Sequence, residues 1–204
     1  MINTLLFDAD GVLIKPDYRL SQKLTRDFNV PFEAMESFFT TDFVPCLIGE
    51  ADLKQTITPY LPLWNWTGSV DEFLDYWFQS ENSPDIDMLS LVKELRSQGL
   101  LCALATNQEK HRLNFIQSQM EFSSLFDKFF CSCDLGYLKP QLMYYQLIYQ
   151  QLGAPDKSSI LFIDDSDRNI AGAESFGFLT YHFTNFKTFA ADITKLLPEL
   201  NETS

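Results

Sequence analysis

Thr4-Leu5-Leu6-Phe7-Asp8-Ala9-Asp10-Gly11-Val12-Leu13 is the stretch on which the reading of this chain turns. Its first four residues show no polar alternation, the pattern of a strand covered on both faces, as parallel strands are. Two acids follow at once, and Gly11 permits the tight turn that brings backbone close to a ligand. Four more runs share the continuous apolarity: Leu100–Ala105, Lys128–Cys131, Ser159–Ile163 and Phe178–Phe183. Helical patterns separate the last four at Glu109–Gln119, Gln141–Leu152 and Asp167–Phe176, and a closing helix is expected near Phe186–Leu197. Gly153 and Gly177 stand where left-handed helix caps are needed. Strands alternating with helices make right-handed βαβ units, so the expected class is α/β, a three-layer Rossmann-like domain on a parallel five-stranded sheet.

One interval breaks the alternation. Between the first two strands, residues 15–85 carry helical patterns punctuated by Pro31, Gly49, Pro59, Pro62, Gly68 and Pro84, with no strand among them. The expected organisation is an α/β core from residues 1–14 and 86–204 with an all-helical subdomain, 15–85, inserted into it. That insert holds all three tryptophans, Trp64, Trp66 and Trp77, with Phe38, Phe39, Phe43, Phe73 and Phe78. Large rings give a small subdomain its core, and the same rings are suited to lining a pocket that faces the sheet. Only Asn201–Ser204 reads as a frayed end.

The chain has 204 residues and a formal charge of −13. A field of that sign repels nucleic acids and anionic lipid, though one lysine or metal ion reverses it locally for a small phosphorylated ligand. Residues 15–85 hold twelve acids against five basic residues, so over half of the excess lies in the insert. The N-terminus lacks a basic region before its short apolar run, and no stretch approaches the ~20 apolar residues of a membrane span. A soluble, cytoplasmic protein is expected, with no nucleic-acid or membrane partner and no feature requiring a protein partner. Cys46, Cys102, Cys131 and Cys133 lie in or beside apolar segments and read as reduced thiols, and His111 and His182 stand apart from any zinc-ligand pattern.

The chemistry-bearing residues sit where the apolar runs end, at the carboxyl edge where open parallel sheets bind ligands. Asp8 and Asp10 follow the first run; acids there also serve as turn formers or caps. Thr106 and Asn107 follow the second, in Ala-Thr-Asn-Gln, and suit either anion binding or a helix cap. Lys139, in Gly-Tyr-Leu-Lys-Pro, lies beyond the third. Asp164 and Asp165 end the fourth, and adjacent carboxylates are relieved by a shared cation. Asp167 reads as the cap of the next helix. Acids for a nucleophile and a metal, donors for an anion and one fixed positive charge meet at one crevice, which favours phosphoryl transfer.

Asp8-Ala9-Asp10-Gly11-Val12, Thr106-Asn107, Lys139-Pro140 and Asp164-Asp165, in that order and each after a strand, resemble the four motifs of the haloacid dehalogenase-like hydrolases, most of which are phosphatases. The run Gly136–Pro140 and the stretch Asn169–Gly177 extend the likeness. The insert resembles the family's helical cap, and Gly49-Glu50 is similar to cap sequences of small sugar-phosphate phosphatases; the phosphatase domain of soluble epoxide hydrolases also looks related. The resemblance implies Asp8 as nucleophile through an aspartyl-phosphate and Asp10 as proton donor and acceptor. It implies magnesium on Asp8, the Asp10 backbone carbonyl and Asp165, with Asp164 alongside, and Thr106, Asn107 and Lys139 on the phosphate. Asp10 favours a phosphatase over a dehalogenase, which needs no acid there. The expected substrate is a small phosphorylated metabolite, such as a sugar phosphate; a phosphosugar mutase and a non-catalytic binding protein share the fold.

Overall fold

Strands β1 (Thr4–Phe7), β2 (Leu101–Thr106), β3 (Lys128–Cys131), β4 (Ile160–Asp164) and β5 (Leu179–His182) form one parallel sheet in the spatial order β3-β2-β1-β4-β5. The computed structural model describes residues 1–197, so the fraying expected at Asn201–Ser204 lies outside the described residues. Register places Phe7 of β1 beside Leu104 of β2 on one side and Ile163 of β4 on the other. The chain therefore runs out to β3 in one direction and to β5 in the other, and β1 sits at the reversal, where such sheets open a crevice beyond their carboxyl ends.

Alternate residues of the central strands enter two separate cores. Leu5, Phe7, Cys102, Leu104, Leu161 and Ile163 point to one face, where α3 (Ile86–Ser97), α4 (Lys110–Ser118) and α7 (Phe186–Leu196) pack with Val92, Ile116 and Phe189. Leu6, Ala103, Ala105 and Phe162 point to the other, against Tyr144, Tyr145 and Ile148 of α5 (Leu142–Gln151) and Ile170 and Ala173 of α6 (Asp167–Phe176). Both core tyrosines pair their hydroxyls, Tyr144 donating to the Phe130 carbonyl at 2.9 Å and Tyr145 to that of Asn169 at 2.8 Å, as buried phenols must.

Double coverage holds for β1, β2 and β4 and fails at the edges. Leu179 and His182 of β5 are exposed, and β3 is only half covered at Lys128 and Phe129. An edge strand has a neighbour on one side only and lies beyond the helices that cover the centre, so apolarity in the sequence overstates its burial. Asp167 does not cap α6 either. Ser166 occupies that position and Asp167 is the first helical residue, while the Ser166 N–H donates to Asp164 at 2.9 Å.

Between β1 and α3 the chain builds a helical layer containing α1 (Leu20–Phe28), a run of short turns from Glu33 to Trp64, and α2 (Val70–Ser80). Ser69 and Glu72 close a capping box at the start of α2, the Ser69 N–H donating to Glu72 at 2.7 Å. The chain enters and leaves this layer side by side: Lys15 N–H donates to the Ser83 carbonyl and Asp85 N–H to that of Leu13, and Lys15 Nζ meets Asp85 at 2.8 Å. Phe38 and Trp64, both fully buried, cross edge to face at 5.2 Å, and Trp64 Nε1 donates to the Ala34 carbonyl at 3.2 Å. Trp64 is thus a core residue, whereas Trp77 also faces a cleft described below. Among the described residues no helix is long and apolar enough to cross a membrane.

Phe38 touches four other rings, Phe39, Phe43, Tyr60 and Trp64. Phe38→Ala is expected to cost about 3–5 kcal/mol, the usual penalty for emptying a buried aromatic site, read as a lowered urea midpoint.

Candidate active site

Each strand of the central trio ends on a functional side chain. Asp8 follows Phe7, Thr106 closes β2 and Asp164 closes β4, so the parallel register brings all three to one edge. Lys139 arrives from the loop between β3 and α5. Its ammonium lies 2.9 Å from Asp8 Oδ1 and 2.7 Å from Asp164 Oδ2, and donates to the Ala105 carbonyl at 3.0 Å. All three charged residues are buried, Asp164 completely. A buried charge survives only with partners that satisfy its hydrogen bonds, and here one cation serves two acids.

The pair of acids has a price in proton affinity. Burial, opposed by Lys139 and reinforced by Asp164, pushes the Asp8 carboxyl up to about 7. Burial pulls the Lys139 ammonium down, but Asp8 and Asp164 outweigh it and the net shift is upward. Asp165, beside this cluster, is raised by partial desolvation of its carboxylate and by Asp164. An additional positive charge among these acids is what electrostatics favours.

Oxygen atoms of Asp8, Asp164 and Asp165 lie within 4.8 Å of one another, a hard-oxygen set that fits a magnesium ion retaining several waters. The surroundings divide the work between the adjacent acids. Asp164 accepts from Asn169 Nδ2 at 3.0 and 3.1 Å, from Ser166 N–H and from Lys139, so its oxygens are occupied by protein donors. The carboxylate of Asp165 stands beside Gly11, where a Cβ would collide with it, and Gly11 has a φ of +90°. Glycine at this turn is therefore a steric and a conformational requirement. His182 Nε2 donates to the Asp165 carbonyl at 3.0 Å.

Asn107 holds Lys139 as well as lining the crevice. Its Oδ1 accepts from the Lys139 N–H at 2.9 Å and its Nδ2 donates to the Lys139 carbonyl at 3.2 Å. A second close approach supports the same loop: a Cβ on Gly172 of α6 would press on Pro140, at 2.7 Å from its Cβ.

Asp10 stands outside this close set of carboxylates. Arg19 Nη1 meets its Oδ1 at 3.0 Å, and Gln108 Nε2 donates to its Oδ2. Gln108 is itself fixed, its N–H donating to Ser132 Oγ at 3.0 Å. The sequence had not pointed to Arg19, Gln108 or Asn169 as site residues. Gln108 could have been found as the neighbour of Thr106-Asn107, and Asn169 as a residue one helical turn past the acidic pair; Arg19 carries no local signal.

The model of the haloacid dehalogenase-like hydrolases matches residues 2–177. The chain belongs to this family. Among solved structures, a predicted hydrolase of the family from Porphyromonas gingivalis superimposes with a TM-score of 0.80 at 24% identity, covering 97% of this chain and 98% of that one. A family enzyme from Bacteroides thetaiotaomicron, solved with magnesium and inorganic phosphate, has a TM-score of 0.76 at 21% identity over 90% of this chain and 95% of that one. At such identities these likenesses establish the fold. A sesquiterpene phosphatase of Aspergillus oryzae is 29% identical over 117 residues, 56% of this chain and 58% of that protein, so the match spans little more than half the length of this curated relative.

Removing the Asn169 amide leaves Asp164 without two of its contacts. Asn169→Ala is expected to weaken magnesium binding by about 10–100-fold, as loss of a residue orienting a ligand cluster does, measured by titration calorimetry. Gly11→Ala should abolish that binding with little change in the far-ultraviolet circular dichroism.

Proposed function

We propose that this haloacid dehalogenase-like hydrolase is a magnesium-dependent phosphatase that hydrolyses a small phosphate monoester through an aspartyl-phosphate on Asp8. The observation that carries the reading is the Lys139 ammonium seated between Asp8 and Asp164, with Asp165 beside them and Asp10 held by Arg19 and Gln108. Asp8 Oδ1 accepts from the Ala9 N–H at 2.7 Å and from Lys139, which leaves Oδ2 as the attacking oxygen. The bond from Oδ2 to phosphorus forms as the ester P–O bond breaks, and Asp10 gives its proton to the departing alkoxide. Asp10 then takes a proton from water, which displaces the phosphoryl group from Asp8 and restores the free carboxylate. Splitting the reaction this way replaces one difficult step by two easier ones.

Thr106, Asn107 and Lys139 would bind the non-bridging phosphate oxygens. Asp8, Asp165 and the backbone carbonyl of Asp10 would hold magnesium, with Asp164 alongside, and the ion would supply charge neutralisation between the carboxylates and an incoming phosphate. Both the phosphatase relative and the solved family member carrying magnesium and phosphate support phosphate chemistry over dehalogenation. Arg19 and Gln108 hold Asp10 ready on the leaving-group side.

Release of phosphate from p-nitrophenyl phosphate should require magnesium and stop on chelation. Asp8→Asn should reduce turnover to background while the fold persists; a turning-over Asp8→Asn protein would remove Asp8 as nucleophile. Asp10→Asn should cost about 10²–10⁴-fold with alkyl esters, the usual worth of general acid catalysis, and far less with p-nitrophenyl phosphate, whose leaving group needs no proton. Equal losses on the two esters would exclude Asp10 as the acid.

A further inference from the structure

We propose that the cleft beyond Asp10 receives an apolar body, so that the substrates are monophosphate esters of a hydrophobic alcohol and not sugar phosphates. The inference rests on the phosphatase reading, in which Asp10 protonates the leaving oxygen: whatever lies past Asp10 houses the alcohol. What lies there is a cleft of about 370 Å³ between the sheet edge and the helical layer. Its outer walls are Phe32, Phe39, Phe43, Leu47 and Trp77.

A sugar would bring several hydroxyls into this space, and each would need a partner to offset its desolvation. The charged groups at the cleft are already committed to the fold. Arg19 is bound to Asp10. Glu81 accepts from the Leu20 N–H at 2.9 Å, and Arg112 donates to the Phe78 carbonyl at 3.1 Å and that of Glu81 at 3.3 Å. Glu109 caps α4 by accepting from the His111 and Arg112 N–H groups. The likeness of Gly49-Glu50 to sugar-phosphate phosphatase caps is not matched by position, since Glu50 is exposed and does not line the cleft.

The backbone itself shapes the apolar wall. Residues Phe38–Asp42 form a π-helical turn, closed by the Phe43 N–H donating to the Phe38 carbonyl at 2.9 Å. The wider turn brings Phe39 and Phe43 together, ring centroids 5.8 Å apart, and sets both against Trp77 at 6.0 and 5.7 Å; π turns of this kind recur at functional sites. Trp77, only 8% exposed, carries the one buried side-chain polar atom among the described residues that has no hydrogen-bond partner, its Nε1. Phe32, at the mouth, is 58% exposed and contributes little to the core. Three acids, Asp10, Glu81 and Glu109, outnumber Arg19 and Arg112 along the lining, which favours a monophosphate over a diphosphate.

The test compares kcat/KM for n-butyl, n-hexyl and n-octyl monophosphate, a hexose 6-phosphate and p-nitrophenyl phosphate. Specificity should rise about twofold to fourfold per methylene, as burial of each CH₂ allows, and octyl phosphate should exceed the hexose phosphate. Phe43→Ala and the exposed Phe32→Ala should each lower the octyl-to-butyl ratio. Binding of the same esters to Asp8→Asn, followed by calorimetry, should tighten with chain length whether or not turnover occurs. A flat alkyl series, or preference for the hexose phosphate, with p-nitrophenyl phosphate still hydrolysed overturns the apolar cleft alone. Chain-length-dependent binding without magnesium-dependent hydrolysis of any ester overturns the phosphatase reading and leaves the apolar cleft standing.

Discussion

A single buried ammonium organises this molecule. Lys139 is the cation that Asp8 and Asp164 share inside the protein, and without it two carboxylates at the ends of adjacent strands would repel in a medium that screens poorly. The demands of that arrangement spread outward. Asn169 and the Ser166 N–H satisfy the remaining oxygens of Asp164, Asn107 fixes the loop that carries Lys139, and Gly172 lets α6 approach that loop closely. The sheet supplies the spacing, because parallel register places the residue after Phe7 beside the residue after Ile163.

The helical insert contributes a different kind of order. Its core is made of rings packed edge to face, centred on Phe38 and Trp64, and the same ring packing continues to Trp77 at the surface that faces the sheet edge. Core and cleft wall are thus one aromatic assembly. Polar chemistry is concentrated at strand ends, and apolar surface is supplied by the insert; the acids at their junction, Glu81 and Glu109, serve mainly to cap and connect helices.

Much of this was legible from the chain itself, for physical reasons that differ by element. The central strands announce themselves because burial on both faces suppresses polar alternation, and an acid directly after such a run has one place to go, which located Asp8 and Asp164. Lys139 was legible only through its company, since a lysine in a loop ordinarily faces water. The exposure of β5 was not legible: Leu179 looks like a core residue until the order of strands makes it an edge. Arg19 meets Asp10 across the turn that the Ile14 N–H closes on the Ala9 carbonyl, a pairing that no local pattern encodes. The insert's tryptophans have the same composition whether they fill a core or line a wall, and only the place of Trp77 at the cleft separates the two uses.

The clasp between Asn107 and residue 139 carries a further consequence. Both of its hydrogen bonds go to main-chain atoms, one to the N–H and one to the carbonyl. The amide reads the backbone in the way one base reads another, and it is indifferent to the side chain that the backbone bears. Location and charge are therefore specified separately at this position: Asn107 determines where a side chain projects, and lysine determines what arrives there. Evolution could exchange the second without disturbing the first, so the scaffold is able to keep its shape while the chemistry at its centre changes.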